Sequence, residues 1–218
     1  MSVAIIDYGS GNLRSAAKAF AWAASQTEEA PEVLVTSDPK DLRRARSIVL
    51  PGVGAFADCM EGLNAATGMR EALEEQVIRI GKPFLGICVG MQLMADSGHE
   101  HEVTRGLGWL AGKVEALRPE PSVEGQRLKI PHMGWNQLDV KAANHPVLAG
   151  LEGGPFVYFV HGYHMRPASS DHVLATTDHG QTVAAVVGCD NILGTQFHPE
   201  KSQASGLRLI SDFLAWRP

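Results

Sequence analysis

The most informative segment of the sequence is Phe84-Leu85-Gly86-Ile87-Cys88-Val89-Gly90-Met91-Gln92, which contains Cys88. An apolar run ends in a cysteine that has a glycine two residues before it and another two residues after it. The pattern predicts a strand that turns sharply into a helix, because glycines permit the cramped backbone of a nucleophile elbow. At such a corner the first amides of the helix can hold an oxyanion. A buried cysteine in an ordinary turn explains the same residues, since unpaired cysteines are often buried.

The residues before this corner alternate between strand and helix patterns. Short apolar runs predict strands at residues 3–7, 32–36 and 47–50, and helical spacing predicts helices at residues 13–24 and 39–45. This alternation is typical of a doubly wound, mostly parallel α/β sheet. The ligand crevice of such a sheet lies at the carboxyl ends of its strands.

A second glycine-rich strand end, Pro51-Gly52-Val53-Gly54, should face the same crevice as Cys88. Its backbone N–H could stabilise an oxyanion formed at Cys88, together with the amide of Val89. Glycine at position 52 would let that peptide flip or come close. An ordinary turn between strand and helix is the alternative explanation of residues 51–54.

The second half of the chain has a different pattern, with short strands at close spacing. After helices at residues 55–64, 69–80 and 89–95, extended segments are predicted at residues 108–117, 127–140, 156–161, 173–177, 182–187 and 192–197. Turn residues at 124–125 should separate the first two segments, residues 161–164 should form a loop, and a helix at residues 203–216 should cover the sheet. We therefore expect extra antiparallel strands in the second half of a single domain spanning residues 1–218.

His198-Pro199-Glu200 follows the last predicted strand. The residue before a proline prefers an extended backbone, and side chains two apart in an extended segment project to the same side. Glu200 could therefore fix the tautomer of His198, which could accept the proton of a thiol. His198 alone would more often be structural, but together with Glu200 and Cys88 it fits a thiol hydrolase.

Composition limits the other classes of function. The 218 residues carry a net charge of −5 without a basic run, which argues against a nucleic-acid partner. The three cysteines form no C-x-x-C pair, and His99 and His101 fit no usual ligand set, so we expect no metal and no other cofactor. The N-terminus lacks the pattern of a leader and no run is long enough to span a membrane, so we expect no membrane association and a cytoplasmic location.

Gly86 to Gln92 and Thr195 to Glu200 resemble the two signatures of the class I (triad) glutamine amidotransferases. Within that superfamily the chain resembles the glutaminase subunits of imidazole glycerol phosphate synthase, an enzyme of histidine biosynthesis. The motifs that carry this resemblance are Asp7 to Leu13, Pro51 to Phe56, Pro131-His132-Met133-Gly134-Trp135-Asn136, Tyr158 to His161 and His198 to Ser202. They run through essentially the whole chain, and the resemblance implies a flavodoxin-like sheet.

The resemblance also implies a role for each matching residue. Cys88 would attack the side-chain amide of L-glutamine, His198 would act as base and then acid, and Glu200 would orient His198. The oxyanion hole would consist of amides from Gly52, Val53 and Val89. Contacts to the substrate would come from Gln92, from Glu100 at the glutamine ammonium, and from the amides of His161, Gly162 and Tyr163 at the α-carboxylate.

The resemblance implies a heterodimer as well. The partner would be a separate (βα)8-barrel cyclase subunit, which receives ammonia and makes imidazole glycerol phosphate and aminoimidazole carboxamide ribotide. Asn12, Tyr158 and Lys201 would lie toward this partner. The isolated glutaminase would hydrolyse glutamine poorly until the partner's ligand is bound.

Three departures from the family pattern leave the triad complete. Gly162 replaces an expected Ser or Thr, Val89 replaces a common Leu, and Ser10 lies at a variable loop position. A stand-alone thiol hydrolase such as a γ-glutamyl peptidase would explain Cys88 and His198, although not the motif at residues 131–136. A non-catalytic binding module would explain the elbow, although not the complete Cys-His-Glu set.

Overall fold

The computed structural model describes residues 2–121 and 128–218, and all that follows concerns these residues. The strands are β1 (Ser2–Ile6), β2 (Glu32–Thr36), β3 (Ser47–Gly52), β4 (Phe84–Cys88), β5 (Ser97–His99), β6 (Val103–Arg105), β7 (Gly112–Ala116), β8 (His132–Gln137), β9 (Asp139–Val140), β10 (Phe156–His161), β11 (Tyr163–Pro167), β12 (Val173–Asp178), β13 (Thr182–Cys189) and β14 (Ile192–Thr195). The α-helices are α1 (Leu13–Ser25), α2 (Pro39–Arg44), α3 (Phe56–Ala65), α4 (Met69–Leu73), α5 (Val89–Gln92) and α6 (Gln203–Ala215). A π-helical turn (Glu74–Arg79) continues α4, and 3₁₀ turns occupy Ala149–Leu151, Ser170–His172 and Pro199–Lys201.

The main sheet has the predicted doubly wound topology. Its strand order is β2-β1-β3-β4-β14-β13-β12-β9. The pairs from β2 to β14 are parallel, and the pairs beyond β14 are antiparallel. The carboxyl ends of β3, β4 and β14 therefore meet at one edge, and this edge carries the candidate site.

The antiparallel strands predicted for the second half are present, with one error in the prediction. The pair β8 and β10 forms a separate sheet, and β11-β7-β5-β6 forms another. Residues 163 and 164, predicted as part of a loop, begin β11, which pairs with the remote strand β7. The loop prediction was wrong because a local turn signal cannot show a pairing partner that lies almost fifty residues away. The predicted turn at 124–125 and the start of the segment 127–140 lie outside the described residues.

Burial explains why the central strands read as unbroken apolar runs. Every residue of β3 and of β4 is buried, as expected for parallel strands covered on both faces. Helix α1 buries Ala16, Ala19, Phe20, Ala23 and Ala24. Phe20 contacts Phe213 of α6 edge-to-face at 6.4 Å between ring centroids. Among the helices in the described residues, none is both long and apolar enough to cross a membrane.

Candidate active site

Cys88 occupies the strained corner that its flanking residues predict. Its backbone has φ +54° and ψ −110°, a conformation that L-residues rarely adopt and that persists only where the surroundings hold it. The flanking glycines are needed for space rather than for a positive φ. A Cβ on Gly86 would lie 2.6 Å from the carbonyl oxygen of Gly90, and one on Gly90 would lie 1.8 Å from that of Leu50. Glycines thus let β4, α5 and β3 pack backbone against backbone.

The predicted contact between His198 and Glu200 is present. Nδ1 of His198 and Oε1 of Glu200 are 2.8 Å apart, and both side chains are 2% exposed. We predicted that an extended segment would make this contact, but the structure shows a different cause. Strand β14 ends at Thr195, and Glu200 lies on the 3₁₀ turn Pro199–Lys201. The turn brings the carboxylate back toward the imidazole.

Burial and the neighbouring side chains have opposite effects on the pKa of His198. Burial lowers the pKa, but interactions with Cys88 and Glu200 outweigh burial and raise it to about 9. Within the described residues, Nε2 of His198 is buried and has no hydrogen-bond partner. Because Nδ1 faces Glu200, Nε2 is the nitrogen that remains to exchange a proton with a thiol or a substrate.

Ser202 holds the backbone of His198 in place. Its hydroxyl donates to the carbonyl of His198 at 2.7 Å and accepts from the amide of Tyr158 at 3.0 Å. The amide of His198 donates to the carbonyl of Tyr158 at 3.0 Å. The sequence alone indicated no separate role for Ser202, although this serine ends one of the family motifs.

A cavity of about 340 Å³ opens at Cys88. The predicted site residues that line it are Val53, Cys88, Val89, Gln92, Glu100, His161, Gly162, Tyr163, His198 and Lys201. Gly52, Glu200, Asn12 and Tyr158 are not among its lining residues; Glu200 instead supports the ring of His198. A larger cleft of about 770 Å³ lies beside β9 and β12, but its lining includes neither a cysteine nor a histidine.

Gln92 and Gln196 form a buried amide pair beside the cysteine. Nε2 of Gln92 donates to the carbonyl of Tyr163 at 3.0 Å and to Oε1 of Gln196 at 3.1 Å. Nε2 of Gln196 in turn donates to Sγ of Cys88 at 3.7 Å. The sequence alone indicated no role for Gln196, although a glutamine within an apolar strand ending could have done so.

Two further predicted residues, Glu100 and Gly162, form part of the cavity wall. Oε2 of Glu100 accepts from the amide of Phe56, the first residue of α3, at 2.7 Å, which fixes this carboxylate at the wall of the cavity. Gly162 leaves space, because among the described residues the heavy atom nearest to an added Cβ, apart from its chain neighbours, would be Cγ2 of Ile130 at 3.7 Å.

The segment predicted to supply oxyanion donors is held by Ser10. The amide of Val53 donates to Oγ of Ser10 at 3.2 Å, and the same hydroxyl donates to the carbonyl of Val53 at 2.7 Å. Gly52 pairs with Cys88 across the sheet, where a Cβ would lie 2.7 Å from the amide nitrogen of Gly90. In this structure the Val53 amide is therefore engaged outside the cavity.

The outer face of the β8–β10 sheet is apolar and exposed. Met133, Trp135 and Phe156 are among its large exposed side chains, and in this register Trp135 lies opposite Tyr158. The Trp135 and Tyr158 rings meet edge-to-face, and Nζ of Lys201 lies 5.8 Å from the Tyr158 ring centroid. This apolar outer face thus adjoins the cavity that Lys201 lines. Asn12 precedes α1 at the same edge of the main sheet, and its side chain makes no capping hydrogen bond.

Comparison with known proteins agrees with this geometry. A sequence model described as "Glutamine amidotransferase class-I" matches residues 4–215. The chain is 56% identical over 218 residues to the imidazole glycerol phosphate synthase subunit HisH of Rhodospirillum rubrum, with all of both chains covered. It is also 56% identical over 221 residues to the HisH subunit of Bradyrhizobium diazoefficiens, again with all of both chains covered.

Solved structures share the fold at much lower identity. A crystal structure of a glutamine amidotransferase matches with a TM-score of 0.70 at 18% identity, covering 99% of this chain and 98% of the other. The glutaminase domain of CTPS from Trypanosoma brucei, solved with bound acivicin, matches with a TM-score of 0.65 at 16% identity, covering 99% and 92%.

Proposed function

The chain belongs to the class I glutamine amidotransferases, and within them to the imidazole glycerol phosphate synthase subunits of histidine biosynthesis; we propose that it hydrolyses glutamine at Cys88. The observation that best supports this site is the buried His198–Glu200 pair beside a cysteine at a strained corner. A nucleophile, a proton carrier and an orienting carboxylate are the parts that acyl transfer needs.

In the proposed glutamine hydrolysis, His198 carries each proton that is transferred. Because its pKa is raised to about 9, His198 takes the proton of the thiol. Sγ of Cys88 then attacks the side-chain carbonyl carbon of glutamine, and the carbonyl oxygen becomes an oxyanion. When the C–N bond breaks, His198 gives its proton to the leaving nitrogen, so ammonia departs and a γ-glutamyl thioester remains. Neutral His198 next takes a proton from water, whose oxygen attacks the thioester and releases glutamate and the thiolate.

Substrate binding uses the groups that remain free in the cavity. Both hydrogens of Nε2 of Gln92 are committed to Tyr163 and Gln196, so its Oε1 is the atom that can accept from the substrate. The anchored carboxylate of Glu100 suits the α-ammonium, and amides of the turn at residues 161–163 suit the α-carboxylate. Amides of Val89 and of the Gly52-Val53 segment would stabilise the oxyanion after the Val53 peptide leaves Ser10.

Ammonia formed at Cys88 needs an acceptor, and we assign that role to the cyclase subunit of the synthase. The apolar outer face of β8 and β10 is where we dock this partner, with Asn12, Tyr158 and Lys201 beside it, in a heterodimer. Exposed aromatic side chains next to a reactive cavity suit a protein interface that keeps ammonia from solvent. The free cysteines suit the reducing cytoplasm, where we propose that the enzyme acts.

Replacement of Cys88 by alanine tests the proposed nucleophile. In complex with the cyclase subunit, Cys88→Ala should lower glutamine-dependent synthesis roughly a thousandfold or more. Synthesis from added ammonium salts should be unchanged, because the partner then receives its ammonia directly. Cys189→Ala, at the end of β13, is the matched control and should keep both activities. Retention of the glutamine-dependent rate by Cys88→Ala would show that no thioester forms at this residue.

A further inference from the structure

A buried chain of hydrogen bonds leads from strand β8 to the sulfur of Cys88, and most of it lies outside the triad. Its members, in order, are Asn136, His132, His161, the Tyr163 carbonyl, Gln92, Gln196 and Cys88. The four side chains between Asn136 and Cys88 are each at most 5% exposed. Breaking any link would therefore leave a buried polar group without its partner.

The first half of this series of hydrogen bonds, from Asn136 to the Tyr163 carbonyl, has only one possible arrangement of protons when both histidines are neutral. The Tyr163 carbonyl can only accept, so Nδ1 of His161 carries the proton in their 2.9 Å contact. Nε2 of His161 must then accept from Nδ1 of His132 at 3.0 Å. Nε2 of His132 accepts from Nδ2 of Asn136 at 3.1 Å, and the orientation of that amide is fixed because its Oδ1 accepts from the Gln137 amide at 2.8 Å.

The second half of the series, from the Tyr163 carbonyl to the sulfur of Cys88, also has a fixed assignment of donors and acceptors. The Tyr163 carbonyl accepts from His161 and from Gln92, which uses both of its lone pairs. Gln92 also donates to Oε1 of Gln196, so the nitrogen of Gln196 turns toward Cys88. An N–H that points at the sulfur fixes the orientation of the Cys88 side chain.

Both histidines are neutral at pH 7, as this arrangement requires. Burial, with the neighbouring His179 as a smaller cause, lowers the pKa of His132 to about 4. Burial also lowers the pKa of His161 to about 3, against the opposing effect of its bond to the Tyr163 carbonyl.

We propose that this series of hydrogen bonds is a positioning network. Through its contact with His161, His132 sets the glutamine-binding turn, and without contacting Cys88 it sets the reactivity of that cysteine. The link to glutamine rests on the proposed function, whereas the link to Cys88 does not. Met133 and Trp135, on the outer face of β8, alternate with His132 and Asn136 on its inner face. A protein docked on the outer face therefore sits on the strand where the network begins.

The test is a double-mutant cycle between the two ends of the network. His132→Phe removes the hydrogen bonds but keeps an aromatic ring, which can still stack on Phe159 and His179. Gln196→Met removes the N–H beside the sulfur at similar volume. The readout is the rate of Cys88 alkylation by iodoacetamide at pH 7, followed by peptide mass spectrometry, which needs no glutamine turnover. The second readout is kcat and KM for glutamine in complex with the cyclase subunit.

The network predicts coupled effects. We expect His132→Phe to lower kcat/KM for glutamine about 10- to 100-fold, as loss of a supporting hydrogen bond typically does, while ammonium-dependent synthesis stays unchanged. The double variant His132→Phe, Gln196→Met should then change the alkylation rate by clearly less than the product of the two single effects. His132→Asn, which can still donate to His161, should recover most of the loss.

Matched variants separate this result from a general loss of stability. His145→Phe alters a half-buried histidine that contacts Trp216 outside the network, and it should leave both readouts unchanged. If His132→Phe does not fold, Asn136→Ala breaks the first link from a partly exposed position and enters the same cycle. Fully multiplicative effects on alkylation, or equal losses in His132→Phe and His145→Phe, would overturn the network. Absence of glutamine turnover in the unaltered complex would instead overturn the proposed function.

Discussion

His198 combines deep burial with a raised pKa, although burial alone favours the neutral ring. Interactions with Cys88 and Glu200 reverse that preference and raise the pKa to about 9. The pair is buried on both sides, with each side chain 2% exposed, so solvent screens it little. In the proposed mechanism, this raised pKa keeps a proton taken from the thiol on the imidazole until the leaving nitrogen accepts it.

Replacement of Glu200 by glutamine should change stability in a pH-dependent way. The pKa of His198 rises from about 6.5 in the unfolded chain to about 9 on folding. The resulting stabilisation is fully present below pH 6.5 and is lost as the pH rises through about 9. Since Glu200 supplies one part of the shift, we expect the variant to be less stable by about 1–2 kcal/mol at pH 6, with a smaller difference at pH 9.5.

Urea unfolding at the two pH values measures this difference. The exposed Glu102→Gln removes the same charge without a buried partner and should behave as the unaltered protein at both pH values. An equal destabilisation of Glu200→Gln at pH 6 and pH 9.5 would contradict a charged His198.

Some of these residues could be identified from the sequence and others could not. The contact between His198 and Glu200 lies within a short local segment and was predicted, although a 3₁₀ turn forms it and not the extended backbone that the spacing implied. Gln196 and Ser202 act through partners on α5 and β10, which are remote in sequence. Their roles become visible only when the fold brings those elements together.

The elbow shows at the scale of elements what a local pattern can and cannot predict. The strand-to-helix corner at Cys88 was predicted correctly, but α5 ends at Gln92, three residues before the predicted end. Gly86 and Gly90 are needed because a side chain would not fit between the closely packed β3, β4 and α5, and not because their φ angles are positive. The predicted end was too late because apolar spacing shows only that residues are buried. The buried turn at residues 93–95 has the same apolar pattern as a continued helix.

Gly90→Ala should disrupt this packing. The added Cβ would lie 1.8 Å from the carbonyl oxygen of Leu50, and the parallel pairing with β4 holds the backbone of Leu50 in place. We expect a loss of roughly 3 kcal/mol or more in the free energy of unfolding, measured by urea titration. Gly162→Ala is the matched control, because in the described part of the chain the nearest atom beyond its sequence neighbours lies 3.7 Å from the added Cβ. Equal stabilities of the two variants would show that β3 and α5 are not packed this closely.

Ser10→Ala should release the peptide of Val53. The hydroxyl holds both the amide and the carbonyl of Val53, so its removal frees an N–H beside the cavity. Since one such hydrogen bond contributes about 1 kcal/mol, glutaminase activity without the cyclase ligand should rise about threefold to tenfold. The measurement is glutamate release by the complex before and after addition of the ligand. Ser10→Thr keeps the hydroxyl and should retain the low basal rate; an unchanged rate in Ser10→Ala would mean that this contact does not restrain the peptide.

At the scale of the whole molecule, the candidate site and the proposed docking face lie together at one edge of the main sheet. Parallel strands β3, β4 and β14 end there, and the β8–β10 sheet contributes Val160 and His161 of β10 to the cavity lining. The alternation of strands and helices was sufficient to predict the parallel sheet. The position of the β8–β10 pair was not predictable, because antiparallel pairing between residues 132–137 and 156–161 leaves no local signature that shows where the pair will pack.

The proposed docking face makes a prediction about two tryptophans of similar exposure. Trp135 is 46% exposed on the outer face of β8, and Trp22 is 51% exposed near the end of α1. Helix α1 starts at the carboxyl end of β1 and leads back to the start of the parallel strand β2, so Trp22 lies away from the cavity edge. Because a buried interface tryptophan typically contributes about 2 kcal/mol, Trp135→Ala should weaken binding of the cyclase subunit about 30-fold. Trp22→Ala should leave the affinity unchanged, as measured by calorimetric titration. Equal affinities of the two variants would place the partner on another face, and the ammonia formed at Cys88 would then need another exit from the cavity.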